Sequence, residues 1–193
     1  MKKQLQVIKT DGTTEEYLHT KVIGTINNAL AAAGRPDILM AEDLAEVVTY
    51  YLYGRPNHRQ VSSSEILSMI KAVLDSTGHE SAAVVLGDHA FGRRIKRART
   101  EVLAVNVQDF ADVEKLYRTR QSPTRMPWDK GTIVRDLVTE SGLSSLEARA
   151  VASSVEERIF NMGMTVVPQS LLRQLVLGEA AAMLRAQRQL QAV

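Results

Sequence analysis

The stretch Val7-Ile8-Lys9-Thr10-Asp11-Gly12-Thr13-Thr14-Glu15-Glu16-Tyr17-Leu18 decides how this chain is read. Leu5, Val7 and Lys9 share one face of an alternating segment, Gln4 to Lys9. Asp11-Gly12 then gives a strong hairpin turn signal, and a return strand runs from Thr13 to Leu18. A two-stranded hairpin is marginal in water, so this one must rest on an apolar surface.

Four predicted helices supply that surface. The first runs from about Thr20 to Ala33, with Val22, Ile23, Ile26, Ala29, Leu30 and Ala33 on one face, and closes at Gly34. The second runs from about Ala41 to Tyr53, with Leu44, Val47, Val48, Tyr51 and Leu52 inward. The third opens on a capping box, Ser62 to Glu65, and carries Ile66, Met69, Ile70, Val73 and Leu74. The fourth runs from about Glu80 to Arg97, with Ala82, Ala83, Leu86, Ala90 and Ile95 inward.

Residues 1–99 are therefore expected to form one domain, mainly α, in which a β-hairpin caps a four-helix cluster. Residues 100–127 read as a linker or arm: Val102, Leu103, Val105 and Val107 alternate, Val113 and Leu116 suggest a helical turn, and two prolines follow. Residues 128–193 read as a second, smaller region of three helices. The first is capped by Asp129 and stopped by Gly142, the second opens on the capping box Ser144 to Glu147, and the third follows Pro168. The order helix, glycine, helix, valine-led turn, helix repeats in the two halves, at Val61-Ser62-Ser63-Ser64-Glu65-Ile66 and Val166-Val167-Pro168-Gln169-Ser170-Leu171. The second half reads as a diverged three-helix copy without the hairpin.

Composition narrows the function classes. Of the 193 residues 45% are hydrophobic and 24% charged, a globular balance, and the net charge of +2 does not mark a nucleic-acid binder. The absence of cysteine removes disulfides, thiolate zinc sites and thiol catalysis. His19, His58, His79 and His89 lack metal-ligand spacing, so no metal site is expected. No nucleophile, metal cluster or acid–base pair suggests an enzyme, and no catalytic residue is assigned. The start shows no signal peptide and no stretch is long and apolar enough for a membrane span, so a cytoplasmic protein without membrane partners is expected.

The series Val7-Ile8-Lys9-Thr10-Asp11-Gly12, Glu15, Lys21-Val22-Ile23, the Ser-rich capping turn at 62–65 and Phe91-Gly92-Arg93-Arg94 resembles the ATP-cone family. In that family a hairpin with Val-x-Lys-Arg-Asp-Gly leads into a Lys-Ile helix. The resemblance covers about half the chain, in the right order and spacing. ATP-cones are regulatory domains of ribonucleotide reductases and of their operon repressor, and they carry no chemistry themselves. The resemblance implies binding of ATP or dATP, with or without Mg2+. Lys9 and Lys21 would meet the phosphates or ribose, Val7 and Val22 would wall the base, Glu15 would accept the adenine amino group, and Ser63 would add a hydrogen bond. Thr10 stands in the same motif, and Arg93 or Arg94 would complete the phosphate clamp.

The chain also departs from the family. Thr10 replaces an arginine common after the hairpin lysine, Leu67 stands where a basic or imidazole side chain often faces the phosphates, and Leu18 replaces a polar residue. Such losses, at about 1–3 kcal/mol per polar contact, point to a weak site, an altered one or none. The expected partners are an adenine nucleotide and either further copies of the chain or a reductase component. The alternatives are a degenerate cone serving as a helical interaction protein, or a DNA-binding regulator using the cations at 93–99. Those cations are more simply read as favourable charge at a helix C-terminus.

Overall fold

In a computed structural model of the protein, the described residues are 4–10, 12–54, 60–104 and 124–191, the side chains of 190 and 191 excepted. Asp11, His58 and the patterns read at Val105, Val107, Val113 and Leu116 lie outside them. The chain is mainly helical, with two small sheets of three strands each among the described residues, and divides into two compact units, Met1–Arg93 and Arg94–Val193. No helix among the described residues is long and apolar enough to cross a membrane.

The first unit begins with the hairpin, β1 (Gln6–Ile8) and β2 (Thr14–Glu16), antiparallel with Val7 opposite Glu15. The turn closes through Lys9 N–H to Thr13 O at 2.8 Å and Gly12 N–H to Lys9 O at 3.0 Å. Gly12 sits at φ 78°, a conformation that a residue without Cβ adopts freely. Helices α1 (His19–Ala32) and α2 (Ile38–Gly54) follow, then a short strand, β3 (Gln60–Ser62), then α3 (Ser63–Ser76). β3 pairs parallel with β1, Val7 opposite Val61, so the sheet order is β2-β1-β3. The valine-led turn is thus a strand, and it leads directly into the capping box: Ser62 Oγ accepts from Glu65 N–H at 3.1 Å while Ser62 N–H donates to Glu65 Oε2 at 2.8 Å. α4 (Glu80–Arg99) completes the set, and the boundary between the units falls within it. The core joins Leu5, Val7, Tyr17 and Val61 of the sheet side to Ile26, Leu30, Val48, Leu52, Ile70, Leu74, Ala83 and Leu86 of the four helices.

The buried face of α2 is Ala41, Leu44, Ala45, Val48 and Leu52: Leu44, Val48 and Leu52 face inward as expected, while Ala41 and Ala45 take the places given to Val47 and Tyr51. Val47 is 41% and Tyr51 58% exposed. The two alanines let α2 approach its neighbours closely, and larger side chains are left outward. Ile95 of α4 is also exposed.

The second unit contains β4 (Glu101–Ala104), β5 (Thr124–Pro127), α5 (Lys130–Ser141), α6 (Ser145–Asn161), β6 (Val166–Pro168) and α7 (Gln169–Gln191). Both ends of the segment read as a linker or arm are strands. β4 pairs antiparallel with β5 and parallel with β6, giving the order β5-β4-β6, the same pattern as in the first unit. The second half therefore has its own antiparallel strand pair, where a copy without a hairpin was expected. Asp129 caps α5 by accepting from Gly131 N–H at 2.8 Å, and Gly142 ends it at φ 65°.

The two units match in detail. Tyr17 N–H donates to Leu5 O, and Trp128 N–H donates to Thr100 O. Val102 faces Val167 as Val7 faces Val61. Five of the buried residues of α6, Ala148, Val151, Ala152, Val155 and Ile159, repeat the spacing of Ala41, Leu44, Ala45, Val48 and Leu52. The next position along each helix receives the same tether. Thr49 Oγ1 bonds Tyr17 Oη at 2.7 Å and His19 Nδ1 at 2.8 Å. Glu156 accepts from Trp128 Nε1 at 3.1 Å and lies 3.8 Å from Lys130 Nζ. Side chains at matching places in two sheets, bonded to matching places on two helices, are what a duplicated fold produces.

Candidate functional site

A cavity of about 210 Å³ opens within the first unit, between the hairpin and the starts of α1 and α3. Strand alternation puts Val7, Lys9, Glu15 and Tyr17 toward it. The first turns of α1 add Lys21, Val22 and Thr25, and the first turns of α3 add Ser63, Ile66, Leu67 and Ile70.

Its polar centre is Glu15. Oε1 lies 2.5 Å from Lys9 Nζ and Oε2 3.2 Å from Lys21 Nζ. The Glu15 side chain is only 12% exposed, while that of Lys21 is 46% exposed. Burial opposes ionisation of Glu15, but hydrogen bonding and charge from Lys9, and then from Lys21, outweigh it and hold its carboxyl below the ordinary value. The phenol of Tyr17 is pushed upward by burial, against the pull of its hydrogen bond with Thr49. The walls are apolar: Val7, Leu18, Val22, Ile66, Leu67 and Ile70.

Of the candidate residues, the structure brings together Val7, Lys9, Glu15, Lys21, Val22 and Ser63 around this one cavity. Thr10 lies exposed at the hairpin end, outside the lining. Arg93 and Arg94 stand near the C-terminal end of α4 and do not line it. Of the three departures from the family pattern, Leu18 and Leu67 are in the wall and Thr10 is not. Sequence reasoning missed Tyr17 and Thr25 as lining residues, and placed Ile66 and Ile70 only in the core. Tyr17 was within reach, because it lies two residues beyond Glu15 and so shares its face of the strand.

A polyanion with a flat apolar group fits this donor set in chemistry: two ammonium groups for charge, branched aliphatic walls for a ring. It fits less well in size, since pockets for small molecules typically span roughly 300–1,000 Å³. A nucleotide would require the hairpin or the wall side chains to yield.

The matching places in the second unit carry none of this charge. Counted from the paired strands, Ala104 stands for Lys9, Met126 for Glu15, Thr132 for Lys21 and Gln169 for Ser63. The cations of residues 93–99 are partly committed elsewhere. Arg97 donates to Glu156 from Nε at 2.7 Å and from Nη2 at 2.9 Å, and Lys96 Nζ lies 5.9 Å from the centroid of the Phe160 ring. Among the described residues no group of His, Asp and Glu side chains is placed to hold a metal ion.

No protein-family model matches the chain, and no curated protein matches it significantly.

Proposed function

We propose that the first unit is an ATP-cone-like regulatory domain that binds an adenine nucleotide, ATP or dATP, and carries no chemistry of its own. The observation that carries this reading is the convergence of Val7, Lys9, Glu15, Lys21, Val22 and Ser63 on one cavity, from three separate elements. In this reading Lys9 and Lys21 hold phosphate oxygens as point charges. Val7, Val22 and Ile66 contact the base, and Ser63 presents its hydroxyl at the start of α3, where a helix N-terminus favours negative charge.

Nucleotide binding would act by shifting a population, the ligand favouring one assembly of the chain with itself or with a reductase component. The second unit, with the same layout and no matching charges, would serve as an interaction or spacing module. A DNA-binding reading draws less support, because Arg97 is bound to a buried carboxylate and Lys96 lies against an aromatic ring.

Calorimetric titration of ATP and dATP into the wild type and into the Lys9→Ala, Lys21→Ala double variant tests the proposal. Heat in the wild type and none in the double variant is the expected result. No heat with either nucleotide at hundreds of micromolar protein would remove it.

A further inference from the structure

The two lysines offered to a phosphate already hold an anion supplied by the hairpin itself. Glu15 lies directly across from Val7 in the strand register, and its two oxygens are split between Lys9 and Lys21. The Glu15 side chain is more enclosed than that of either lysine: 12% exposed, against 30% for Lys9 and 46% for Lys21. An arriving phosphate would meet the lysines from the open side, with the carboxylate behind them. We propose that Glu15 is a built-in occupant of the anion site, and that a phosphate binds only by taking the lysines away from it.

This rests on the nucleotide reading of the cavity, but it assigns Glu15 a role opposite to that of a base-recognising contact. A residue that reads the adenine edge adds affinity. A residue that occupies the phosphate site subtracts it twice, by competing for the ammonium groups and by repelling the incoming charge across a partly desolvated gap. Glu15 then sets the threshold that a ligand must exceed. Poorly charged or neutral ligands leave the lysine–glutamate cluster closed, whereas a polyphosphate carries enough charge to draw both lysines away from the carboxylate. The small size of the cavity is consistent with this closed arrangement, since lining side chains drawn together reduce its volume.

The probe is inorganic tripolyphosphate, which has no base to recognise, titrated beside ATP into the full chain and its Glu15→Gln variant. Glutamine keeps the shape and removes the charge. The expected result is that Glu15→Gln binds tripolyphosphate at least about tenfold more tightly than the wild type does. Tripolyphosphate affinity that is unchanged or weaker in Glu15→Gln, with ATP still bound by the wild type, overturns the occupant role and leaves the nucleotide reading standing. Failure of both proteins to bind either ligand overturns both. If Glu15→Gln does not fold, as judged by its thermal melt, Glu15→Ser is read in the same way.

Discussion

Replacing Arg97 by methionine should unfold the second unit at markedly lower denaturant. Glu156 has no exposed surface, and its two oxygens accept from Arg97 Nε and Nη2, with Trp128 Nε1 sharing Oε1. Methionine keeps much of the aliphatic stem and removes the two-pronged pair. Deleting one partner of a buried pair costs about 3–5 kcal/mol. The lower end applies here, because the Arg97 side chain is 41% exposed and Lys130 Nζ stays 3.8 Å from the carboxylate. About 3 kcal/mol, at a urea slope of about 1.5 kcal/mol/M, lowers the midpoint by about 2 M. Trp128 is the chain's one tryptophan and packs against Phe160 at 6.2 Å between ring centroids, so its emission reports on this unit. Adding Glu156→Gln to Arg97→Met removes the stranded charge and keeps an acceptor for the indole N–H. It should recover at least about half of the loss. A midpoint drop under about 0.5 M, or no recovery in the double variant, would refute the view that Arg97 neutralises Glu156.

Acid should weaken the first unit through Glu15. Its folded pKa lies below the ordinary value of 4.5, so its ion pairs stabilise fully above that value and are lost as pH falls through the lowered one. Urea titrations followed by circular dichroism between about pH 6 and pH 3 should show a smaller acid loss in Lys9→Met than in the wild type. Tyr17→Phe deletes the bond to Thr49 and should cost about 1 kcal/mol in the melt of the first unit, with a larger cost for Thr49→Val, which takes the partner from both Tyr17 and His19. Ser62→Ala and Ser144→Ala each break a reciprocal cap and should each cost about 1 kcal/mol, the latter read by Trp128 fluorescence. Calorimetry should give a stoichiometry near one nucleotide per chain, since Ala104, Met126 and Thr132 replace the charged residues in the second unit; two equivalent sites would contradict that assignment.

What the amino-acid pattern disclosed depended on whether the signal was local. The hairpin was legible because Asp11-Gly12 is a turn signal in the sequence and the flanking residues alternate. The two capping boxes were legible because serine and glutamate three residues apart satisfy each other's backbone groups. Leu44, Val48 and Leu52 of α2 were legible from their spacing, but Val47 and Tyr51 were misplaced because large side chains draw a periodic reading inward, whereas close helix packing selects Ala41 and Ala45. β3 and β6 are three residues long and pair with strands far away in sequence, so no period marks them. The pairing of β4 with β5 escaped for a related reason: the two strands flank the long segment 105–123, so no short hairpin turn joins them in sequence. At the site, the lysines were found as cations but their shared hold on Glu15 was not, because it depends on the angle at which α1 leaves the hairpin.

The strand order of each unit carries a consequence for synthesis on the ribosome. The strand made first is the central one: β1 lies between β2 and β3, and β4 between β5 and β6. One edge of the central strand is covered early by its antiparallel neighbour. The other stays open until two helices have been made and Val61 can reach Val7, or Val167 can reach Val102. Closing such a sequence-distant contact defers the reward for ordering the intervening chain, which slows folding relative to a simple bundle of the same length. Each nascent unit therefore passes through an interval in which a bare strand edge is available to a stray partner, and its short third strand, β3 in the first unit and β6 in the second, ends that exposure.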